Sequence, residues 1–346
     1  MNKYLHFFQY NKYYVFLKFF KSFFVLILFV LQQNIVFSNE KSEAEKVKFL
    51  TANPFSFFHI ITDLENQESQ NAYGILRFPE SRTKNKYPLI LGVNGSKNWA
   101  DHHLEYLEMY REVGFATFEI QSFNSRNVNS TVGDQTTVTT AMMILDSYKA
   151  LEVLGTDQRI DIDNVAITGW SLGGGVALFS AWEPLIASIG TNERFKAHLA
   201  FYPPCLVEMD LIEFSKVPIH ILIGEKDDWV TASACEDLVR DLSGNSVDIG
   251  ITVYANAHHG FDRKGLPVKE KKGYATGNCH FRMRSDGALL MNFLDIPMIT
   301  PFRQKVALGW CADRGTTIGG NPKARVKSFD FARNFMKTHL SQDFLQ

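Results

Sequence analysis

The sequence predicts an α/β fold, a mainly parallel twisted sheet with helices on both faces. Three observations carry that expectation. Short apolar runs, PLILGV at 88–93 and VPIHILI at 217–223, have the length of buried strands and lack the alternation of a strand with one wet face. Longer helical patterns separate them, which implies right-handed β-α-β crossovers. Reactive side chains gather just past the predicted strands, at the carboxyl ends where open parallel sheets keep their ligands.

The chain begins with an expected leader. Lys3, Lys12, Lys18 and Lys21 make a basic segment without an acidic residue, and SFFVLILFVL at 22–31 follows as an apolar core. Val36-Phe37-Ser38 fits a small-residue cleavage rule, so residues 1–38 are expected to be a signal peptide cut before Asn39. Ten apolar residues are too few to cross a bilayer as a helix. The expected location is therefore periplasmic or secreted, with no stable membrane span after leader cleavage; an uncleaved anchor is the competing reading. Losing four lysines takes the formal charge from −1 to −5. Residues 39–346 are expected to form one α/β domain.

Taken in order, residues 39–48 are polar and expected to fray. Residues 55–61 and 72–78 read as two antiparallel strands. The buried strand 88–93 leads through Asn94-Gly95-Ser96-Lys97 to a helix over 101–113 and a strand over 115–120. A polar loop, 121–136, contains Phe123 and Arg126, and a helix spans 137–154. Strands at 165–167, 198–202, 217–223 and 249–254 follow, with helices after Ser171 and over 234–242. Residues 263–324, rich in Gly, Lys and Pro, read as an irregular insertion before a final amphipathic helix over 324–340.

The most informative stretch is NVAITGWSLGGGVAL, 164–178: an apolar strand, a G-x-S-x-G turn and a small-residue helix start. This is the context of a nucleophile elbow, which exposes a serine hydroxyl above a sheet. A serine needs a base, and the base needs an orienting carboxylate. Both follow in chain order. Asp227, in GEKDD after the strand 217–223, is the expected acid; Asp228 is read as its solvated neighbour or a turn cap, and Glu225 as a distant third. His259, in AHHGF after the strand 249–254, is the expected base, ahead of His258. His102 and His103 read as surface or local hydrogen-bonding residues. Two backbone N–H groups must hold the oxyanion. Leu172 is expected to give one and Ser96 the other, with Lys97 second.

Charges of both signs are interspersed, so no nucleic-acid partner is expected. No metal spacing is present, and neither metal nor cofactor is expected. The four cysteines, Cys205, Cys235, Cys279 and Cys311, suit two bridges in an exported chain, with three connectivities open.

The pieces RIDIDNVAITGWSLGGG, AFYPPC, ILIGEKDDWVTASACEDL, YANAHHGFD and KARVKSFDFARNFMKTHL resemble the dienelactone hydrolase family of α/β-hydrolases, over about residues 70–340. The resemblance implies the α/β-hydrolase fold, with Ser171 as nucleophile, Asp227 as acid and His259 as base. It also implies pairing of Cys205 with Cys235 and of Cys279 with Cys311. The founding members use a cysteine nucleophile where this chain has Ser171, and a His-Gly where it has Asn94-Gly95, so lactone specificity does not carry over. No large cap is seen between 202 and 217, and the insertion 263–324 is a candidate wall or flap.

The expectation is an exported serine hydrolase that cleaves a carboxylic ester or related acyl bond of a small molecule through an acyl-enzyme. A peptidase or acyltransferase on the same fold and a non-catalytic exported binding protein are the alternatives. Trp170 and Phe123 are candidates for lining the acyl pocket, against core packing. Arg126 is a candidate for holding a substrate carboxylate, against a structural ion pair.

Overall fold

The computed structural model describes residues 43–80, 84–291 and 293–340. The expected leader and its cleavage site lie outside the described residues. From the N-terminal side the elements are β1 (Glu45–Ala52), α1 (Phe57–Thr62), β2 (Ser69–Arg77), β3 (Tyr87–Val93), α2 (Asp101–Glu112), β4 (Ala116–Ile120), the single turn α3 (Ser122–Ser125) and α4 (Thr140–Leu154). Then come β5 (Ile160–Trp170), α5 (Leu172–Phe179), α6 (Glu183–Ile189), β6 (Ala197–Phe201), β7 (Val207–Met209), β8 (Ile219–Gly224), α7 (Ala232–Gly244) and β9 (Ile249–Tyr254). The last part holds β10 (Val268–Ala275), β11 (Phe281–Met283), β12 (Leu289–Leu290), α8 (Pro301–Cys311), β13 (Asp313–Ile318) and α9 (Pro322–Leu340).

Eight strands form the central sheet in the order β1-β2-β4-β3-β5-β6-β8-β9. β2 is antiparallel to β1 and β4, and the remaining pairs are parallel. Every residue of β3, β4 and β6 is buried, as strands covered on both faces require, including Thr117, Glu119 and His198. α9 closes one face: Tyr106 of α2 stacks on Phe329 at 3.7 Å and its hydroxyl meets Ser328 Oγ at 2.6 Å. On α4, Thr139 caps the N-terminus, its Oγ1 accepting from the Met142 N–H at 3.3 Å.

Three expectations are corrected. Residues 45–48 do not fray. EKVKFLTA alternates, Phe49 and Thr51 turn inward, and the strand pairs with β2 along its length. Residues 55–61 are not a strand; α1 begins at Phe57, buries Ile60 and sets Phe57 against Phe179 and Trp182. Residues 263–324 are not irregular. β10 and β13 pair as an antiparallel ribbon, and β11 joins β12 and β7 in a second small sheet.

Two disulfides brace this part of the molecule. Cys205 bonds Cys235, tying the segment before β7 to α7. Cys279 bonds Cys311, tying the turn after β10 to the end of α8.

Candidate active site

β5 carries the sequence to the middle of the sheet and stops abruptly. Ser171 follows with φ 56° and ψ −114°, a conformation that costs energy for any residue with a side chain. Its neighbours must be glycines because the turn leaves no room. A Cβ on Gly169 would lie 2.0 Å from the Gly173 carbonyl oxygen, and one on Gly173 would lie 2.2 Å from that of Val93. The turn is held by the Ser171 N–H, which donates to the Phe201 carbonyl at 2.9 Å, and by the Gly175 N–H, which donates to the Ser171 carbonyl at 3.0 Å.

Ser171 Oγ lies 2.9 Å from His259 Nε2, and His259 Nδ1 lies 2.8 Å from Asp227 Oδ2. An ionised carboxylate only accepts, so Nδ1 carries the proton and Nε2 is left to accept from the serine hydroxyl. The other carboxylate oxygen, Asp227 Oδ1, accepts from the Trp229 and Val230 N–H groups at 3.0 Å each. Asp227 and His259 are buried, and the imidazole sits between the rings of Tyr202 and Trp229 at 4.6 and 4.9 Å.

The acid turn and the base loop are tied together by their backbones. The Lys226 N–H donates to the Ala257 carbonyl at 2.8 Å, and the Lys226 carbonyl accepts from His258 Nδ1 at 2.9 Å. Glu225 Oε2 accepts from the Asn256 N–H at 2.7 Å. Glu225 and His258 thus brace the loops and do not reach Ser171. Asp228 is partly exposed, as expected of a solvated neighbour, but its carboxylate is also engaged. It accepts from the Thr317 N–H at 2.6 Å and from Thr317 Oγ1 at 2.9 Å, which docks β13 beside the site.

The expected oxyanion donors flank the serine. The Leu172 N–H opens α5, where no earlier helical carbonyl can accept it. The Gly95 carbonyl is held by the Asn98 N–H at 2.9 Å and Asn94 Nδ2 at 3.0 Å. That fixes the peptide plane whose other edge is the Ser96 N–H. The Ser96 carbonyl in turn accepts from the Thr131 N–H at 2.9 Å and Ser130 Oγ at 3.0 Å. The 121–136 loop therefore buttresses the peptide at Ser96, a role that its polar sequence did not signal. The Lys97 side chain turns away to pair with Glu270.

A cavity of about 240 Å³ opens on Ser171, Leu172 and Ser96. α1 contributes Phe57, and α4 contributes Thr140 and Ala141. Pro204, Leu206 and Val207 form a second side, with Trp229 and Val230 near His259. The insertion supplies the rest, including Tyr274, Phe281, Met283, Met298 and Leu308. The lining is mostly apolar. On the other side of Ser171 a recess of about 30 Å³ is bordered by His259, Tyr202 and Arg263. Arg263 was missed in the sequence because it lies in the stretch that resisted reading.

Of the three candidate pocket residues, none lines the larger cavity, and Trp170 borders the small recess beside Ser171. Phe123 is fully buried in the core, and so is Trp170, stacked on His103 at 4.5 Å and Phe201 at 5.4 Å. Arg126 is spent on a bidentate pair with buried Asp146, at 2.6 and 3.0 Å, and a bond to Asn53. His102 and His103 are buried, not at the surface, and His103 makes the local hydrogen bond that was the other expectation, its Nδ1 accepting from the Ala100 N–H at 3.2 Å. Behind His259, the Tyr202 hydroxyl donates to Asp262 Oδ1 at 2.9 Å, and His102 Nε2 lies 3.8 Å from the same oxygen. Burial pushes the Asp262 carboxyl up to about 6 and lowers both histidines, which stay neutral. Among the described residues no group of His, Cys, Asp and Glu is arranged to hold a metal ion.

Comparison with known proteins gives three findings. Residues 108–279 match the model of the dienelactone hydrolase family. Over 98 residues the chain is 33% identical to a putative carboxymethylenebutenolidase of Aquifex aeolicus and 29% identical to Protein usf of Aquifex pyrophilus. Each match covers 28% of this chain and spans only 39% of the relative's length. Among solved structures, m3DLH superposes with a TM-score of 0.51 at 16% identity, covering 86% of this chain and 99% of that one. A dienelactone hydrolase-like promiscuous phosphotriesterase from metagenomic libraries gives 0.50 at 15%, with the same coverage. At such identities the likeness is one of fold.

Proposed function

The chain belongs to the dienelactone hydrolase family, and from that premise we propose that it is an exported serine hydrolase that cleaves a carboxylic ester or related acyl bond. The observation that carries this reading is the unbroken relay from Ser171 Oγ through His259 to Asp227, at 2.9 and 2.8 Å, opening on a mostly apolar cavity.

The serine hydroxyl gives its proton to His259 Nε2 as Oγ attacks the carbonyl carbon. Asp227 holds the imidazole in the required tautomer and stabilises the imidazolium. The oxyanion is received by the N–H groups of Leu172 and Ser96, whose peptides are set before substrate arrives. Collapse of the tetrahedral intermediate passes the proton from Nε2 to the leaving alcohol and leaves an acyl group on Ser171. Water then attacks by the same sequence and releases the acid. An apolar lining favours the acyl portion of an ester over a polar peptide segment. Two disulfides and the basic and apolar leader of residues 1–38 support export. No helix among the described residues is long and apolar enough to cross a membrane.

The test is hydrolysis of a panel of p-nitrophenyl esters by the wild type, Ser171→Ala and His259→Ala. We expect each substitution to lower kcat by about 10⁶-fold with little change in KM. Equal rates in the wild type and both variants would remove the serine mechanism.

A further inference from the structure

α8 has two different sides. Thr300 caps it, its Oγ1 accepting from the Arg303 N–H at 3.3 Å, and Pro301 starts it. Ala307 and Leu308 are buried, and Leu308 and Gln304 line the cavity that opens on Ser171. The opposite side carries Phe302, Val306 and Trp310, spaced by four residues and so on one stripe. They are 75%, 41% and 70% exposed. Leu294 is 80% exposed, and its neighbour Phe293 packs on Trp310 at 4.7 Å. Single exposed apolar residues are ordinary, but several on one stripe make a patch of the kind that marks a place of contact.

The segment that carries this stripe is basic on balance, although Lys269, Arg282, Arg284 and Lys305 are paired with Asp228, Asp210, Asp286 and Asp134. Residues 263–324 contain eleven Lys and Arg against four Asp and Glu, on a chain whose formal charge is −1. Arg303 and Lys305 flank the stripe within α8 itself and are exposed. An exposed helix that combines an aromatic-aliphatic stripe with basic flanks has the chemistry of an interfacial helix, which seats its apolar side in the headgroup region of an anionic bilayer. Trp310 suits that boundary, with an apolar ring and a polar N–H.

We propose that α8 docks the protein on an anionic lipid surface through Phe302, Val306 and Trp310, and that the cavity behind the helix takes the acyl chain of an ester held in that surface. The substrate part rests on the serine-hydrolase reading above; the docking part does not. Arg303, beside the stripe, meets the lipid phosphates while the stripe enters the layer. Gln304 and Leu308, on the inner side of the same helix, then stand between the layer and Ser171.

The test is co-flotation of the purified protein with phosphatidylcholine vesicles, with and without phosphatidylglycerol, at low and high salt. The double variant Phe302→Ser/Trp310→Ser and the charge variant Arg303→Glu are run beside the wild type. Wild type is expected to float with the anionic vesicles and to be released by salt. Each variant is expected to lose about tenfold or more of that binding, to keep its fluorophosphonate labelling and its rate on a soluble short-chain ester, and to lose rate on a long-chain ester embedded in the vesicles. Wild type that does not float, or a double variant that floats equally well, overturns the docking. So does a wild-type dimer that the double variant dissociates with vesicle binding unchanged, because the stripe is then a contact between two copies. Normal flotation without fluorophosphonate labelling keeps the docking and rejects the substrate.

Discussion

At the scale of single residues, the two adjacent aspartates after β8 divide the work. Asp227 faces His259, while Asp228 faces Thr317 and Lys269. Asp227→Asn should cost about 10⁴ in kcat, because the amide favours the wrong imidazole tautomer. Asp228→Asn should leave kcat within a few-fold and lower Tm. Steady-state kinetics with thermal melts on the two variants separate the roles; equal kinetic loss would contradict the division. Asp262 gives a pH prediction. Its folded value of about 6 lies above the 3.8 of an ordinary aspartate. Below pH 4 both states hold the proton. Between about 4 and 6 only the folded state does, so stability falls as pH rises through that window and is flat above it. The drop is about 3 kcal/mol. Asp262→Asn should abolish it, as urea melts at pH 4 and pH 7 would read. The Ser, Asp and His of the relay were legible in the sequence because each follows a strand of unmistakable pattern. His102, His103 and Arg263 were not, because burial and direction depend on packing partners distant in the chain.

At the scale of elements, the fully buried strands could be read directly, since a run like PLILGV has few alternatives. The N-terminal pair could not. EKVKFLTA puts lysines on alternate positions and so resembles a frayed tail. FSFFHII is apolar throughout, which fits strand and helix alike; its helical state is decided by Phe57 packing on Phe179 and Trp182. The ribbon β10–β13 was hidden because VKEKKGYA is largely exposed and carries no apolar face. Between α3 and α4, the Arg126–Asp146 pair is 6% and 0% exposed. Arg126→Met leaves a buried carboxylate uncompensated and should cost about 3–5 kcal/mol in chemical denaturation. The kcat of the folded protein should change little, because Arg126 does not reach the cavity; a selective loss of kcat at unchanged stability would restore it as a substrate ligand.

At the scale of the molecule, the sheet supplies the relay and the insertion supplies the pocket. The insertion was a candidate wall in the sequence, but the individual lining residues come from α1, α4, the 204–207 segment and residues 274–308, which no single motif joins, and so were not legible. The Cys279–Cys311 bridge closes a loop with a sequence separation of 32 across that insertion. Replacing both cysteines by serine should cost about 3–4 kcal/mol and should raise KM more than it lowers kcat, because the wall loosens while Ser171, His259 and Asp227 stay on the sheet. A fall in kcat alone would place the insertion in the chemistry itself.

The central claim is that Ser171 is the nucleophile, activated by His259. The most direct measurement is intact-mass and peptide mapping after treatment with a fluorophosphonate. One adduct per chain, on the peptide carrying Ser171, absent from Ser171→Ala and strongly slowed in His259→Ala, is the result this account predicts. A folded wild type that takes no adduct, or takes it on another residue, would contradict it.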